Sequence, residues 1–449
     1  MSEIGPEHPL TYRREVVERL FQLIQQRESC VVIGSSSMGK SRLIEFILRA
    51  EVQRHFWPDN ALLMVNADSN RLAEKSEWGL YELLLTALIE ASVERPELHA
   101  LRAEFAPLHS QVVTSRNALL AQRYLELAAR VLCRDHKLTV CVLLDEFDES
   151  YRQLPASVFA NLRALRDANK YHWLYVLFLR DHPGRLRPAD KVEGFYELLS
   201  RSVLGLGPFT NRDAEHAIRQ LEVRKQRTLT AAQRRVVQWL SGGHPGMMVG
   251  LIDGLAHNRA VETDDEWLAW GSQLAAAQEE CRKLWYGLAE DERLALGHID
   301  QGLAVPDELH DLLKLKGLIV AEGDRVGLFS PIFRRYVQEA APATTPSLLI
   351  DLTSRSVVVE GKTIRDLTAL EFDFVACLHA RLGHVCTRDE ILACLHPDEQ
   401  GGEFTNSAID SLVKRIRRAI EPVPGQPRYL LTARGVGYRL VDRPEQPSG

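Results

Sequence analysis

Residues 30–48, CVVIGSSSMGKSRLIEFIL, constrain the fold more tightly than any other stretch of the chain. Cys30, Val31, Val32 and Ile33 form a short apolar run of the kind a buried strand needs. Gly34 to Ser41 then read G-x-x-x-x-G-K-S, and Leu43, Ile44, Ile47 and Leu48 fall on one helical face behind them. Strand, glycine-bounded loop and helix in that order make a phosphate-binding loop. Gly34 and Gly39 permit a turn in which the N–H groups of Ser35, Ser36, Ser37 and Met38 point inward at a polyphosphate. The new helix brings its positive dipole end to the same place. Lys40 has the reach for β- and γ-phosphates, and the Ser41 hydroxyl suits Mg²⁺. The plain alternative is a Ser/Gly-rich turn before an ordinary helix. The full loop pattern with both flanks in place argues against it.

A second apolar run, Leu138 to Leu144, ends in Asp145-Glu146. In a chain with this loop, Asp145 is expected to hold Mg²⁺ and Glu146 to polarise an attacking water, making Lys40, Asp145 and Glu146 the catalytic candidates. Their strand is expected beside the loop strand. Trp173–Leu179 is another strand, ending in Arg180. That arginine reads either as a γ-phosphate sensor or as a solvated strand-end charge. Helical patterns separate these strands, which implies a mostly parallel sheet with its ligand at the strand carboxyl ends.

Composition sets the outer bounds. A chain of 449 residues has room for about three domains. No stretch has the apolar length of a membrane span, and MSEIGPEHPL lacks the features of a signal peptide. A cytoplasmic protein with no membrane partner is expected. Seven cysteines without a C-x-x-C pair sit mostly in apolar runs, as buried reduced thiols do. Net charge is −6, so evidence for nucleic acid must be local.

Past residue 210 the pattern is helical. Asn211 or Asp213 is placed to cap Ala214–Leu221, and Ala231–Leu240 runs into Ser241-Gly-Gly-His244-Pro245-Gly246, read as a helix end followed by a hard stop. The turn accounts for the glycines and proline but not for His244. Taken together, GSSSMGKS, LLDEFDE, the strand ending in Arg180 and GGHPG resemble the STAND branch of AAA-related signalling ATPases over residues 12–270. The resemblance implies ATP/ADP and Mg²⁺ as ligands, and a lid histidine, His244, near the β-phosphate. Tyr12-Arg13-Arg14-Glu15 stands where that family has G-R-E.

Residues 279–339 give helices followed by a two-strand pattern with a turn at Glu322-Gly323-Asp324, a winged-helix arrangement that STAND proteins place after the lid. Ala340 to Ser347 is a linker by composition. Beyond it come three short strands and two helix starts with capping-box spacing, Thr368/Glu371 and Thr387/Glu390. On the helix Asn406–Ile420, Ile409, Leu412, Val413, Ile416 and Ile420 oppose Ser407, Ser411, Lys414 and Arg418.

LTALEFDF, TRDEIL, SAIDSLVKRIRR and TARGVGYRL resemble the OmpR/PhoB-type DNA-binding winged helix over residues 348–442. By position the resemblance puts Lys414, Arg415 and Arg417 at the major groove, with Arg418 beside them in the basic run. It puts Arg434 at the minor groove, Thr432 and Tyr438 on phosphates, and Arg388 on the backbone. Seven basic residues against Glu421 between Lys414 and Arg439 agree with a phosphate footprint. Cys377, His379, His384, Cys386, Cys394 and His396 crowd together, but their spacing matches no usual zinc pattern, and the three cysteines take core positions of the winged-helix pattern.

The expected architecture is an α/β P-loop NTPase domain with a parallel sheet (1–205), a helical lid (206–276), an internal winged helix (277–340), a linker (341–347), a second winged helix (348–443) and a tail (444–449). The expected function is an ATP-dependent switch acting as a transcriptional regulator. It would be a slow ATPase with double-stranded DNA as partner, nucleotide-dependent self-association and a protein trigger. The rival is a sensor or defence ATPase whose terminal domain binds a protein or foreign nucleic acid.

Overall fold

The computed structural model describes residues 8–93, 95, 98–255, 263–322, 325–340, 348–351, 355–359, 362–364, 367–395, 406–421, 423, 425–433 and 435–441. The chain divides into two compact units, Met1–Ala341 and Pro342–Gly449.

Five parallel strands build the first unit: β1 (Cys30–Ile33), β2 (Leu62–Asp68), β3 (Thr139–Asp145), β4 (Trp173–Leu179) and β5 (Val203–Gly205), in the order β2-β3-β4-β1-β5. Side chains alternate between two buried faces. Val31, Val65, Val142 and Leu177 join one core with the helices Glu77–Val93, Ala118–Arg130 and Ala156–Ala168. Val32, Met64, Leu143 and Val176 join another with Arg14–Gln25 and Lys40–Ile47. Burial on both faces explains why these strands read as unbroken apolar runs.

The strand order corrects one expectation. β4 pairs with both β1 and β3, so the acidic strand lies one strand away from the loop strand. Strands are spaced about 4.8 Å apart, and the phosphate loop must reach across the end of β4 to meet Asp145.

Helices Asn211–Arg224, Ala231–Ser241, Pro245–Gly254, Asp264–Gln273, Ala275–Tyr286, Glu290–Asp300, Asp307–Leu315 and Pro331–Ala340 complete the unit, with a hairpin β6 (Ile319–Glu322) and β7 (Arg325–Leu328). One hydrophobic core runs through them from Ala214 to Val337. Two local readings change. Thr210, not Asn211 or Asp213, caps the first helix by accepting from Asp213 N–H. The GGHPG segment is a restart rather than a stop. Gly242 (φ +56°) and Gly243 (φ +81°) end one helix, His244 caps the next, and Pro245 takes its first turn. A Cβ on Gly242 would stand 1.9 Å from the Phe329 carbonyl oxygen, so no larger residue fits there. Gly323 and Asp324 of the expected turn, and the linker 341–347, lie outside the described residues.

The second unit is a winged helix. β8 (Leu348–Asp351), β9 (Ser356–Val359) and β10 (Lys362–Ile364) form an antiparallel sheet. The helices Ala369–His379, Arg388–Leu395 and Asn406–Ile420 follow, and β11 (Val385–Thr387), β12 (Leu430–Ala433) and β13 (Gly437–Leu440) form a second sheet. Thr368 with Glu371, and Thr387 with Glu390, make the expected reciprocal caps. Ile409, Leu412, Val413, Ile416 and Ile420 are all buried. Cys386 is buried, but Cys377 is only partly so and Cys394 is exposed, which corrects their reading as three core side chains.

Candidate functional site

The loop is built as its glycines require. Gly39 has φ +91°, a conformation costly for any other residue, and Ser37 follows the same left-handed course at +58°. Gly34 is closely packed: a Cβ there would meet Leu206 Cβ at 3.1 Å, so a larger residue would have to push Leu206 aside. Lys40 is buried and donates from Nζ to the Gly34 carbonyl at 2.8 Å. Burial lowers its pKa, opposed by Glu146, Asp148 and Asp145. Ser35 Oγ is buried without a hydrogen-bond partner among the described residues.

The acids come from the end of β3 and the turn after it, and the end of β4 supplies Arg180. Ser41 Oγ approaches Asp145 Oδ2 at 3.5 Å, closing the distance that the intervening strand creates. Burial, helped by Glu146 and Asp68, pushes the Asp145 carboxyl up to about 6. Glu146 sits in the left-handed region at φ +47°, a strained setting of the kind found at functional sites, and its Oε2 lies 2.6 Å from Arg180 Nη2. Asp148 accepts from Arg180 N–H at 2.8 Å, while its Oδ2 is buried without a hydrogen-bond partner among the described residues; burial raises this carboxyl too.

The helical layer closes over the loop. His244 is fully buried and does two things at once. Its Nδ1 accepts from Met247 N–H at 3.1 Å, which leaves the proton on Nε2, and Nε2 donates to the Ser36 carbonyl at 3.3 Å. The imidazole is therefore a helix cap as well as a bridge to the loop, a structural reason for it that the sequence reading lacked. Burial holds its pKa down at about 4, and protonation would set Nδ1–H against Met247 N–H.

Arg13 makes a second bridge. Its guanidinium donates to the Met38 carbonyl at 2.6 Å and the Gly207 carbonyl at 2.7 Å and lies 4.4 Å over the Phe209 ring. Its own N–H reaches Asp213. Arg13 was not singled out as a site residue in the sequence, although the Tyr-Arg-Arg-Glu signal was visible.

A cavity of about 630 Å³ lies between the loop and the helices Asn211–Arg224 and Pro245–Gly254, bordered by His8, Tyr12, Lys40, Glu146, Phe209 and Met248 among others. His8 stacks on Tyr12 at 3.9 Å, providing a flat aromatic wall. A larger cleft of about 980 Å³ near Trp239 and Arg334 holds none of the loop or strand-end groups. The donor set fits a Mg²⁺–nucleotide. Lys40, the spare Ser35 hydroxyl and the loop N–H groups suit phosphates, and the Ser41–Asp145 pair suits a hard cation.

In the second unit the basic residues divide by environment. Lys414 and Arg418 are exposed on the helix Asn406–Ile420. Arg415 donates to Glu371 at 2.8 Å. Arg417 donates to the Leu430 carbonyl and to Thr432 Oγ1 at 2.8 Å, tying that helix to β12. Arg388 and Tyr438 both meet Asp410, the arginine at 2.7 Å, and Tyr438 is buried. Arg434 lies outside the described residues. Among the described residues, no helix is long and apolar enough to cross a membrane.

Comparison with known proteins agrees with both halves. Residues 9–178 match the family described as AAA ATPase domain, and residues 361–440 match Transcriptional regulatory protein, C terminal. Transcriptional regulatory protein AfsQ1 of Streptomyces coelicolor is 32% identical over 110 residues, 24% of this chain and 48% of that protein. The chain thus spans under half of that relative. A Walker-type ATPase of Pyrococcus abyssi aligns over 74% of this chain and 99% of its own, at 15% identity and TM-score 0.45. The RstA DNA-binding domain of Klebsiella pneumoniae, solved with the RstA box, aligns over 22% and 93%, at 25% identity and TM-score 0.20. This chain joins a region that matches an AAA ATPase domain to one that matches the C-terminal domain of transcriptional regulatory proteins.

Proposed function

We propose that the protein is a STAND-type, ATP-dependent switch that regulates transcription by binding double-stranded DNA. Residues 1–205 hold the nucleotide, 206–276 form its lid, 277–340 an internal winged helix, and 348–443 the DNA-binding module. ATP binding gates self-association and DNA binding, and slow hydrolysis resets the switch.

The observation that carries this reading is the double engagement at the loop. Lid residue His244 holds the Ser36 carbonyl, and sensor-strand residue Arg180 holds Glu146. With its carboxylate bound to Arg180, Glu146 is not free to polarise water. Drawing Arg180 toward a γ-phosphate releases it, so turnover waits on correct binding. Lys40 and the loop amides hold phosphate oxygens, while Ser41 and ionised Asp145 hold the metal. Bound there, Mg²⁺ supplies charge neutralisation to the phosphates.

The test is DNA binding by the full chain, using a promoter from its own genomic neighbourhood, with ATP, with ADP and without nucleotide. Binding should depend on the nucleotide in the wild type and lose that dependence in Lys40→Ala. Equal binding in all three states would reject the switch.

A further inference from the structure

Arg180 and Asp181 are neighbours that face different partners. Arg180 meets Glu146 and Asp148 in the nucleotide site. Asp181 Oδ1 lies 3.0 Å from Lys316 Nζ, and Lys316 also pairs with Glu292. Lys316 is 1% exposed and Glu292 fully buried, so the lysine end of this cluster is sealed from solvent, while the Asp181 side chain is 15% exposed. Arg185 extends it, donating twice to Asp291 at 2.8 and 3.0 Å and approaching Asp181 at 3.3 Å.

The backbone closes in at the same place. A Cβ on Gly205 would stand 2.1 Å from the Leu315 carbonyl oxygen, and one on Gly317 would stand 2.5 Å from Gly207 Cα. Residues 315–317 thus rest on the end of β5 at glycine contact distance. Gly207 is also the residue whose carbonyl Arg13 holds, and Arg13 holds the loop at Met38.

We infer that Asp181 is the positioning residue that couples occupancy of the nucleotide site to the placement of residues 289–317, with Lys316 as its counterpart. The inference rests on the nucleotide-site reading above. Glu146 releases Arg180 when a γ-phosphate competes for it, and the end of β4 shifts with its side chain. Asp181, the next residue, then changes its distance from a lysine that has no solvent to turn to. Buried charges do not tolerate small separations, because the lost attraction is not replaced by water. The contact therefore responds as a latch: closed with Arg180 on Glu146, loosened with Arg180 drawn away. Asp181 touches no reacting atom, and its part is to transmit.

Amide hydrogen exchange of the full chain tests this, with ADP and with a non-hydrolysable ATP analogue, both shown to bind by calorimetry. In the wild type the analogue should speed exchange across 289–317 relative to ADP by about tenfold, within the usual range of site-to-site coupling. Asp181→Asn keeps the Lys316–Glu292 pair and the side-chain shape, and should remove that difference while both nucleotides still bind. Lys316→Met should speed exchange over 289–317 with either nucleotide. A wild-type difference that survives in Asp181→Asn, or wild-type protection in Lys316→Met, overturns the inference alone. A wild-type chain that gives no binding heat with ATP overturns the nucleotide-site reading as well.

Discussion

Arg180 and Glu146 face each other at 2.6 Å across the mouth of the site, and each blocks the other's expected task. An arginine held by a carboxylate is not on a phosphate, and a carboxylate held by an arginine is a poor partner for water. Glu146→Gln should preserve ATP binding and slow turnover by about 10²-fold or more, the scale of a lost general base. Single-turnover cleavage at the wild-type rate would move the role to Asp148, whose Oδ2 is buried without a hydrogen-bond partner among the described residues.

Lys40 is the next lever. Its ammonium is buried among three acids, with the Gly34 carbonyl as its hydrogen-bond acceptor. Lys40→Ala should weaken Mg·ATP binding by about 1.5–3 kcal/mol, the worth of a hydrogen bond to a charged group. Titration calorimetry showing unchanged affinity would remove the loop from the account.

His244 makes a prediction about pH. Its folded pKa of about 4 lies below the ordinary imidazole value of 6.5. The folded state therefore binds fewer protons than the unfolded state between those values. The contribution of neutral His244 is complete above pH 6.5 and is lost as pH falls toward 4. At about 1.4 kcal/mol per pKa unit this amounts to at most about 3.5 kcal/mol. Asn keeps a capping side chain, so the stability difference between wild type and His244→Asn, measured by denaturant from pH 7.5 to 4.5, should shrink with acid. A difference independent of pH would mean that the imidazole is not held neutral.

For the second unit, exposure separates two groups of basic residues. Lys414→Ala or Arg418→Ala should leave stability unchanged and reduce the log–log salt slope of DNA binding by about one each. Arg417→Ala should instead cost about 1–2 kcal/mol of domain stability, because its guanidinium holds the Leu430 carbonyl and Thr432. Salt titrations and thermal melts of the 345–449 fragment distinguish these outcomes. No salt-dependent binding at low ionic strength would make the domain a protein-interaction module.

Much of this was readable residue by residue. β1, β3 and β4 announced themselves because both faces are buried, and Thr368 and Thr387 announced their helices because capping is local. What escaped was short, masked or non-local. β5 has three residues, too few for a pattern. Helix His99–Ser115 carries Pro107 inside it, which reads as a stop. The place of β4 between β1 and β3 depends on pairing between distant residues and leaves no local trace. In the site, the loop and Asp145-Glu146 were legible as motifs, and His244 was noticed but not explained. Its partners, Met247 N–H and the Ser36 carbonyl, are backbone groups and have no residue type to betray them. Asp181 and Lys316 lie 135 positions apart, and nothing local to either residue points to the other.

The helical core that runs from Ala214 to Val337 also decides how this molecule melts. Met248 and Leu251 on one side of residue 276, and Ala277 and Cys281 on the other, are parts of one apolar cluster. Neither half can lose its packing while the other keeps it. These helices should unfold as a single cooperative block, distinct from the winged helix at the C-terminus, which has its own core around Phe374, Leu412 and Leu440. A fragment cut near residue 276 would then expose half of that core at its broken end and collect as aggregate, whereas one cut in the linker would keep both cores whole.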